Sequence, residues 1–476
     1  MNGERTKRIR RVRSLIALAS ACAAMAVVAA RVTPPAAAAP QTHPVEIRSN
    51  FFTPRVINIS PGDTVTWTAI DNGHTVEADD GRFNFFPQRF LNRNEQVSFT
   101  FLTEETVRYH CRVHGAAGGG GMSGSIVVGA GSPEPTPTAT PTVLEHRFVP
   151  SEYPTVTSAL DGITPGGVVH LAPGVYREAV AVRTPGVSIR GDGAPEDVIV
   201  DGQGTRRTGV LLAASGALVS NLTVTGHLAE GVAVRGVTGA RVTDVVARGN
   251  GGYGVLVADA GGVTVTRVRA SGHRIAGIAV QGCDECDTIV QDAEAEANLF
   301  GVLIDDAGSV VVRRSWLHGN GTGIAARSIA TADGIVQRGV HIVGNDITGN
   351  TAAIPAGSAT EFAVRSGVWL AGSWFAVVEQ NRLEGHDYGV LVTAFPGPTL
   401  DGRIAGNEVD GSAVADLAWD GIGSGVCFED NARPGGGEPS ARPPLAQTIY
   451  ACDGARGPGV PEPRVIADLV RYAAGI

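Results

Sequence analysis

Four side chains able to hold a soft metal ion occur in order between residues 74 and 122. Tyr109-His110-Cys111-Arg112-Val113-His114 is followed by Gly115 to Gly121 and then by Met122, so a thiol, an imidazole and a thioether share one loop, and His74 precedes them. A thiolate and two imidazoles make a trigonal plane, and a thioether is the weak axial ligand that suits copper cycling between Cu(I) and Cu(II) without a change of ligands. Zinc is more often held by closed sets of Cys and His without a thioether. Taken singly, Cys111 also reads as a reactive or intermolecularly paired thiol, His74 as a turn residue and Met122 as packing. The four in order point to one copper ion held by His74, Cys111, His114 and Met122. His110 is set aside, because in an extended strand it faces away from Tyr109 and Cys111.

Short strands must position this set. Val45 to Ile47, Val56 to Ile59, Val65 to Trp67, Val97 to Phe101 and Ser125 to Val128 alternate apolar and polar residues, broken by Pro61-Gly62-Asp63 and Asp71-Asn72-Gly73. The pattern predicts a small antiparallel β-sandwich over 41–129. The ligand run, with Asn50-Phe51-Phe52-Thr53-Pro54, Gly62-Asp63-Thr64-Val65-Thr66-Trp67 and Gly124-Ser125-Ile126-Val127-Val128, resembles the plastocyanin/azurin-like cupredoxins. That resemblance covers most of 45–128. The spacing Cys-x2-His-x7-Met is longer in its second part than in many members, which leaves the axial bond open.

Ser132 to Thr142, where Pro alternates with Ser, Glu, Thr and Ala, reads as a semi-rigid spacer over 130–144. Beyond it, Gly followed by an apolar alternating triplet recurs at Gly209, Gly231, Gly254, Gly277, Gly301 and Gly323, at intervals of 22, 23, 23, 24 and 22 residues, and again at Gly367 and Gly389. That period, with no helical spacing and no Leu-rich signature, predicts a parallel β-solenoid over 145–435, followed by a tail over 436–476. It resembles the right-handed parallel β-helix of pectate-lyase-like proteins and of periplasmic copper-binding accessory proteins. Tyr153 to Leu160 and Pro165 to Glu178 look like that family's N-terminal cap and first coil. The fold class expected is all-β: a cupredoxin β-sandwich, then a right-handed parallel β-helix.

Three solenoid features invite chemistry. His227, Asn250, His273, Asn298, Asn320 and His386 recur just before the repeat glycines; they read as turn residues tolerating left-handed geometry and stacking along the solenoid, rather than as a metal file. Cys283 and Cys286 align with small apolar positions of adjacent coils, so buried thiols or a local disulfide are preferred to a metal site. Asp259 and Asp306 occupy one position two coils apart, with backbones about 10 Å apart, and are weak candidates for a catalytic carboxylate pair. The calcium-binding acidic cluster of the lyases is not identified. Cys427 and Cys452 are expected to form a disulfide, and Val465 to Ala474 a short helix.

Composition narrows the function. Gly is 64 of 476 residues and charged residues only 18%, with a formal charge of −9. Seven of the cations, against one Glu, lie in the first 39 residues, so the remainder carries −15, which argues against a nucleic-acid partner. Lys7 is the single lysine, which excludes Schiff-base chemistry and a Walker P-loop from the mature chain. Basic residues followed by the apolar run Ser14 to Ala30 read as a signal peptide over 1–39, giving an exported, extracellular, cell-surface or periplasmic protein with no transmembrane segment after cleavage. The function expected is copper binding with electron transfer, the solenoid presenting a surface to a redox partner protein or a polysaccharide. The alternatives are a carbohydrate-active lyase or epimerase with an accessory cupredoxin, and a copper carrier or storage protein.

Overall fold

The computed structural model describes residues 40–474 apart from 49–50, 71–73, 86–90, 92, 117–119, 130–143, 285, 329–336, 353–362, 395–396 and 454–457. The signal-peptide reading, the turn at 71–73 and the spacer therefore lie outside the described residues.

The first part is a sandwich of two four-stranded sheets. One has the order β2 (Phe51–Thr53), β1 (Thr42–Arg48), β4 (Thr64–Ala69), β6 (Gln96–Thr100); the other has β3 (Val56–Ile59), β8 (Gly120–Val128), β7 (Glu105–Ala116), β5 (Glu77–Ala78). Strict alternation in β4 buries Val65, Trp67 and Ala69 and leaves the intervening threonines half-buried. The pairing is mixed, not purely antiparallel: β1 runs parallel to β4, and β3 to β8. Gly124 is required by space, since a Cβ there would come within 2.4 Å of the Tyr109 ring.

The second part is a right-handed parallel β-helix. Val219, Val242, Val265, Val290, Val312, Ile342, Val378, Ile404 and Phe428 stack in register on successive coils, all fully buried. A second sheet of 11 parallel strands stacks Val232, Val255, Ile278, Val302, Ile324, Val368, Val390 and Leu417 in the same way. Coils lie about 4.8 Å apart, so like apolar side chains pack on one another along the axis. The repeat glycine precedes that second file. A Cβ at Gly254 would lie 2.5 Å from the carbonyl oxygen of Gly277, and one at Gly301 would lie 2.6 Å from that of Gly323. Close approach of the next coil, not backbone conformation, imposes the period.

The polar files are hydrogen-bonded ladders. Each side chain accepts the amide of the coil before it: His227 N–H donates to Asn250 Oδ1 (3.0 Å), Asn250 N–H to His273 Nδ1 (3.2 Å) and His273 N–H to Asn298 Oδ1 (2.9 Å). The ladder continues through Asn320 and Asn350 to His386. Stacking is thus as expected, but the left-handed residues are their neighbours Gly226, Gly249, Gly272 and Ala297. A second ladder, Asn345, Asn381, Asn407 and Asn431, runs parallel to it. The solenoid sheet continues past residue 435, because Ala441–Arg442 pairs with Leu417 and Ala418. A helix, Pro463–Ala474, buries Val465 against the outer face of the 11-stranded sheet. Among the described residues no helix is long and apolar enough to cross a membrane.

Candidate metal centre

The site is made by an irregularity in the β7–β8 ladder. His110 pairs with Ser123 and Gly115 with Gly121, so the four residues 111–114 lie opposite the single residue Met122. A regular ladder would spread Cys111 and His114 along the strand edge; the bulge gathers both opposite Met122. Cys111 is fully buried and Met122 is 1% exposed, both within the sandwich core. His114 lies in the bulge by its backbone, and its side chain is outside the described residues.

The fourth residue arrives from the other side of β7. β5 pairs antiparallel with β7 through Glu77 with His110 and Ala78 with Tyr109. Extending that register toward residue 74 brings His74 and Thr75 alongside the bulge. His74 is 1% exposed, and its backbone exchanges two hydrogen bonds with Leu91 (3.2 and 2.8 Å). Thr75 then meets the sulfur. Its amide donates to Cys111 Sγ at 3.3 Å, and its hydroxyl donates to the same atom at 3.7 Å while accepting the Arg112 amide at 2.8 Å.

Two donors converging on a buried sulfur are the surroundings a thiolate requires, since hydrogen bonds to the charged form favour it. Cys111 is the one cysteine in no disulfide among those described. The donor set therefore fits a soft ion: a buried sulfur poised as an acceptor, a buried imidazole alongside it and a buried thioether opposite. His110, set aside in the sequence, directs Nδ1 to Asp79 Oδ1 at 2.7 Å. Arg112 forks onto Glu77, with both bonds at 3.0 Å, and closes the outer edge. Thr75 was missed in the sequence because nothing separates its pattern from that of any strand threonine.

Asp259 and Asp306 stand at one register position two coils apart, as expected, with Gly282 between them. Asp259 and Asp306 both take left-handed turn conformations (φ +51° and +45°); Asp259 is exposed, whereas Asp306 is 4% exposed. Cys283 bonds to Cys286, and Cys427 to Cys452.

A second polar site, not anticipated, lies on the solenoid wall. A cleft of about 490 Å3 is lined by Asp244, Arg267, Arg269, Asp292, Glu294 and Trp316, among others. Arg267 binds Asp244 through two bonds (2.7 and 2.9 Å), and Arg314 binds Asp292 likewise (2.8 and 3.0 Å). Each guanidinium holds its carboxylate below the usual range. Trp316 is 48% exposed and stacks on His318 at 3.8 Å.

The family described as right handed beta helix region matches residues 185–347. No curated protein matches the chain. Among solved structures, the A-module of a mannuronan C-5 epimerase from Azotobacter vinelandii is similar at 18% identity and TM-score 0.43, over 56% of this chain and 86% of that one. An alginate lyase from Paenibacillus is similar at 14% identity and TM-score 0.35, over 53% and 91%. A pseudoazurin from Sinorhizobium is similar at 30% identity and TM-score 0.15, over 19% and 76%.

Proposed function

We propose that the sandwich is a mononuclear copper centre for electron transfer in an exported protein. The observation that supports it is the bulge that sets residues 111–114 opposite Met122, with Thr75 donating twice to the Cys111 sulfur. His74, Cys111, His114 and Met122 would hold the ion. Copper, when bound, supplies a one-electron redox couple. The chain's part is to bury the sulfur and hold it by Thr75, and to exclude water with the core around Trp67, Tyr109 and Ile126. Those functions are those of a rigid site that changes little between oxidation states, as electron transfer needs. Met122→Gln tests the assignment: a harder oxygen donor favours Cu(II), so the potential should fall while copper stays bound. An unchanged potential would remove Met122 from the ligand set, and rapid loss of copper to a chelator would favour a carrier over an electron-transfer protein.

A second reading, a carbohydrate-active or glycan-binding solenoid, is favoured by the wall cleft. An exposed indole beside fixed carboxylates and guanidiniums offers a flat apolar face and hydrogen-bonding groups to a sugar ring. Product release from a polysaccharide panel, lost in Trp316→Ala, would support it. Binding without release would leave a binding surface.

A further inference from the structure

One stretch of the solenoid's outer face carries three aliphatic side chains and a histidine, His341, whose Nε2 lies 2.9 Å from Glu379 Oε1. Ile289, Val311, His341 and Val377 share one register position on successive coils, alternating with the core residues Val290, Val312, Ile342 and Val378, so their side chains point outward. The same file holds Thr264 before them and Arg403 after them. Outward residues on such a wall meet water, yet Val311, His341 and Val377 are only 7%, 1% and 9% exposed.

Sandwich residues lie over Ile289, Val311 and His341. Phe52, Thr53 and Arg55 line a cavity of about 190 Å3 together with Asp287, Ile289, Val311 and His341. Arg55 reaches both ways: one nitrogen approaches Asp287 at 3.5 Å, and another donates to the Ser123 hydroxyl at 3.0 Å, beside Met122. The coil presenting Asp287 is altered at that point. Thr264 and Ile289, one coil apart, are separated by 25 residues, against 23 from Arg241 to Thr264 and 22 from Ile289 to Val311. The Cys283–Cys286 disulfide staples the extra length, and Asp287 follows it in a left-handed conformation (φ +43°).

We propose that this mostly aliphatic file is the docking surface for the chain's own sandwich, with Arg55 and Asp287 as the latch, so that the two domains move as one body. Covalent connection makes this attainable with a small contact. A tether supplies an effective concentration on the order of millimolar, so an interface too weak to join separate proteins holds two linked ones. The inference is independent of which metal, if any, the sandwich binds.

The test uses the full-length chain and diethyl pyrocarbonate labelling of histidines, read by peptide mass mapping, beside small-angle scattering. In the wild type, His341 should be protected while the exposed His146 reacts, and the scattering should fit one compact particle. Val311→Asp on the solenoid and Arg55→Glu on the sandwich should each raise His341 labelling toward that of His146 and increase the radius of gyration. The exchanged pair Arg55→Glu with Asp287→Arg should restore protection. Wild-type labelling of His341 at the rate of His146 would overturn the proposal. So would protection that survives both single variants in folded protein.

Discussion

The amide of Thr75 points at the sulfur of Cys111, with N and Sγ 3.3 Å apart, and the hydroxyl of the same residue lies 3.7 Å from that sulfur. A single residue, contributed by the segment next to β7, thus directs two donors at the buried thiol of the sandwich. The hydroxyl also accepts the Arg112 amide, which ties the bulge to the segment that carries His74.

Thr75→Val removes that hydroxyl but keeps the side chain's shape and the amide donor. The Arg112 amide loses its acceptor, a cost of about 1–3 kcal/mol if it is left unsatisfied, so the sandwich should melt at a lower temperature. With copper loaded, fewer hydrogen bonds leave the sulfur more electron-rich toward Cu(II), so the reduction potential should fall. Calorimetry and voltammetry on the same sample check both. An unchanged potential in a folded, loaded variant would separate the sulfur from the metal.

The glycine period makes a stability prediction. At Gly254 a Cβ would lie 2.5 Å from the Gly277 carbonyl oxygen and 2.7 Å from His273 Nε2. Gly254→Ala should therefore cost about 1–3 kcal/mol through forced separation of neighbouring coils, measured by denaturant unfolding. Gly236, with no atom within 4 Å, is a poor control because its φ is +63°; Gly397, with open space and no positive φ, is the proper one and should tolerate Ala.

The histidine rungs make the solenoid sensitive to acid. His386 is 1% exposed, its Nδ1 accepts the Asn350 amide, and its Nε2 donates to the Ile347 carbonyl, so the neutral ring uses both nitrogens. Burial lowers its pKa from 6.5 to about 4. The unfolded chain takes up this proton first as pH falls. The stability from keeping the ring neutral is therefore complete above pH 6.5 and is lost progressively toward pH 4, amounting to about 3 kcal/mol. His386→Asn, which places at this rung the residue used at Asn320 and Asn350 of the same ladder, should flatten that loss. A pH profile of unfolding identical to the wild type would contradict it.

How much of this was legible follows from what each signal depends on. The repeat glycines and inward valines were readable because a solenoid writes one steric demand many times. The second ladder, Asn345, Asn381, Asn407 and Asn431, escaped because insertions stretch its first interval to 36 residues. His74, Cys111 and Met122 could be named from residue type and order alone. Their gathering depends on a register shift, and the role of Thr75 on which way one hydroxyl turns, neither of which a single sequence encodes locally. Trp316 was invisible for a related reason: its prominence comes from stacking on His318 and from Glu294 and Arg269, which the coil brings beside it from 22 and 47 residues earlier.

Whether Cys111 is the sulfur ligand of one copper ion is decided by the visible and electron paramagnetic resonance spectra of the full-length chain titrated with Cu(II). Saturation is expected at one ion per chain, with intense thiolate-to-copper absorption. Cys111→Ser should abolish that band while leaving the solenoid's circular dichroism intact. A band that persists in the folded Cys111→Ser protein, or a wild-type chain that takes up no copper, would contradict it.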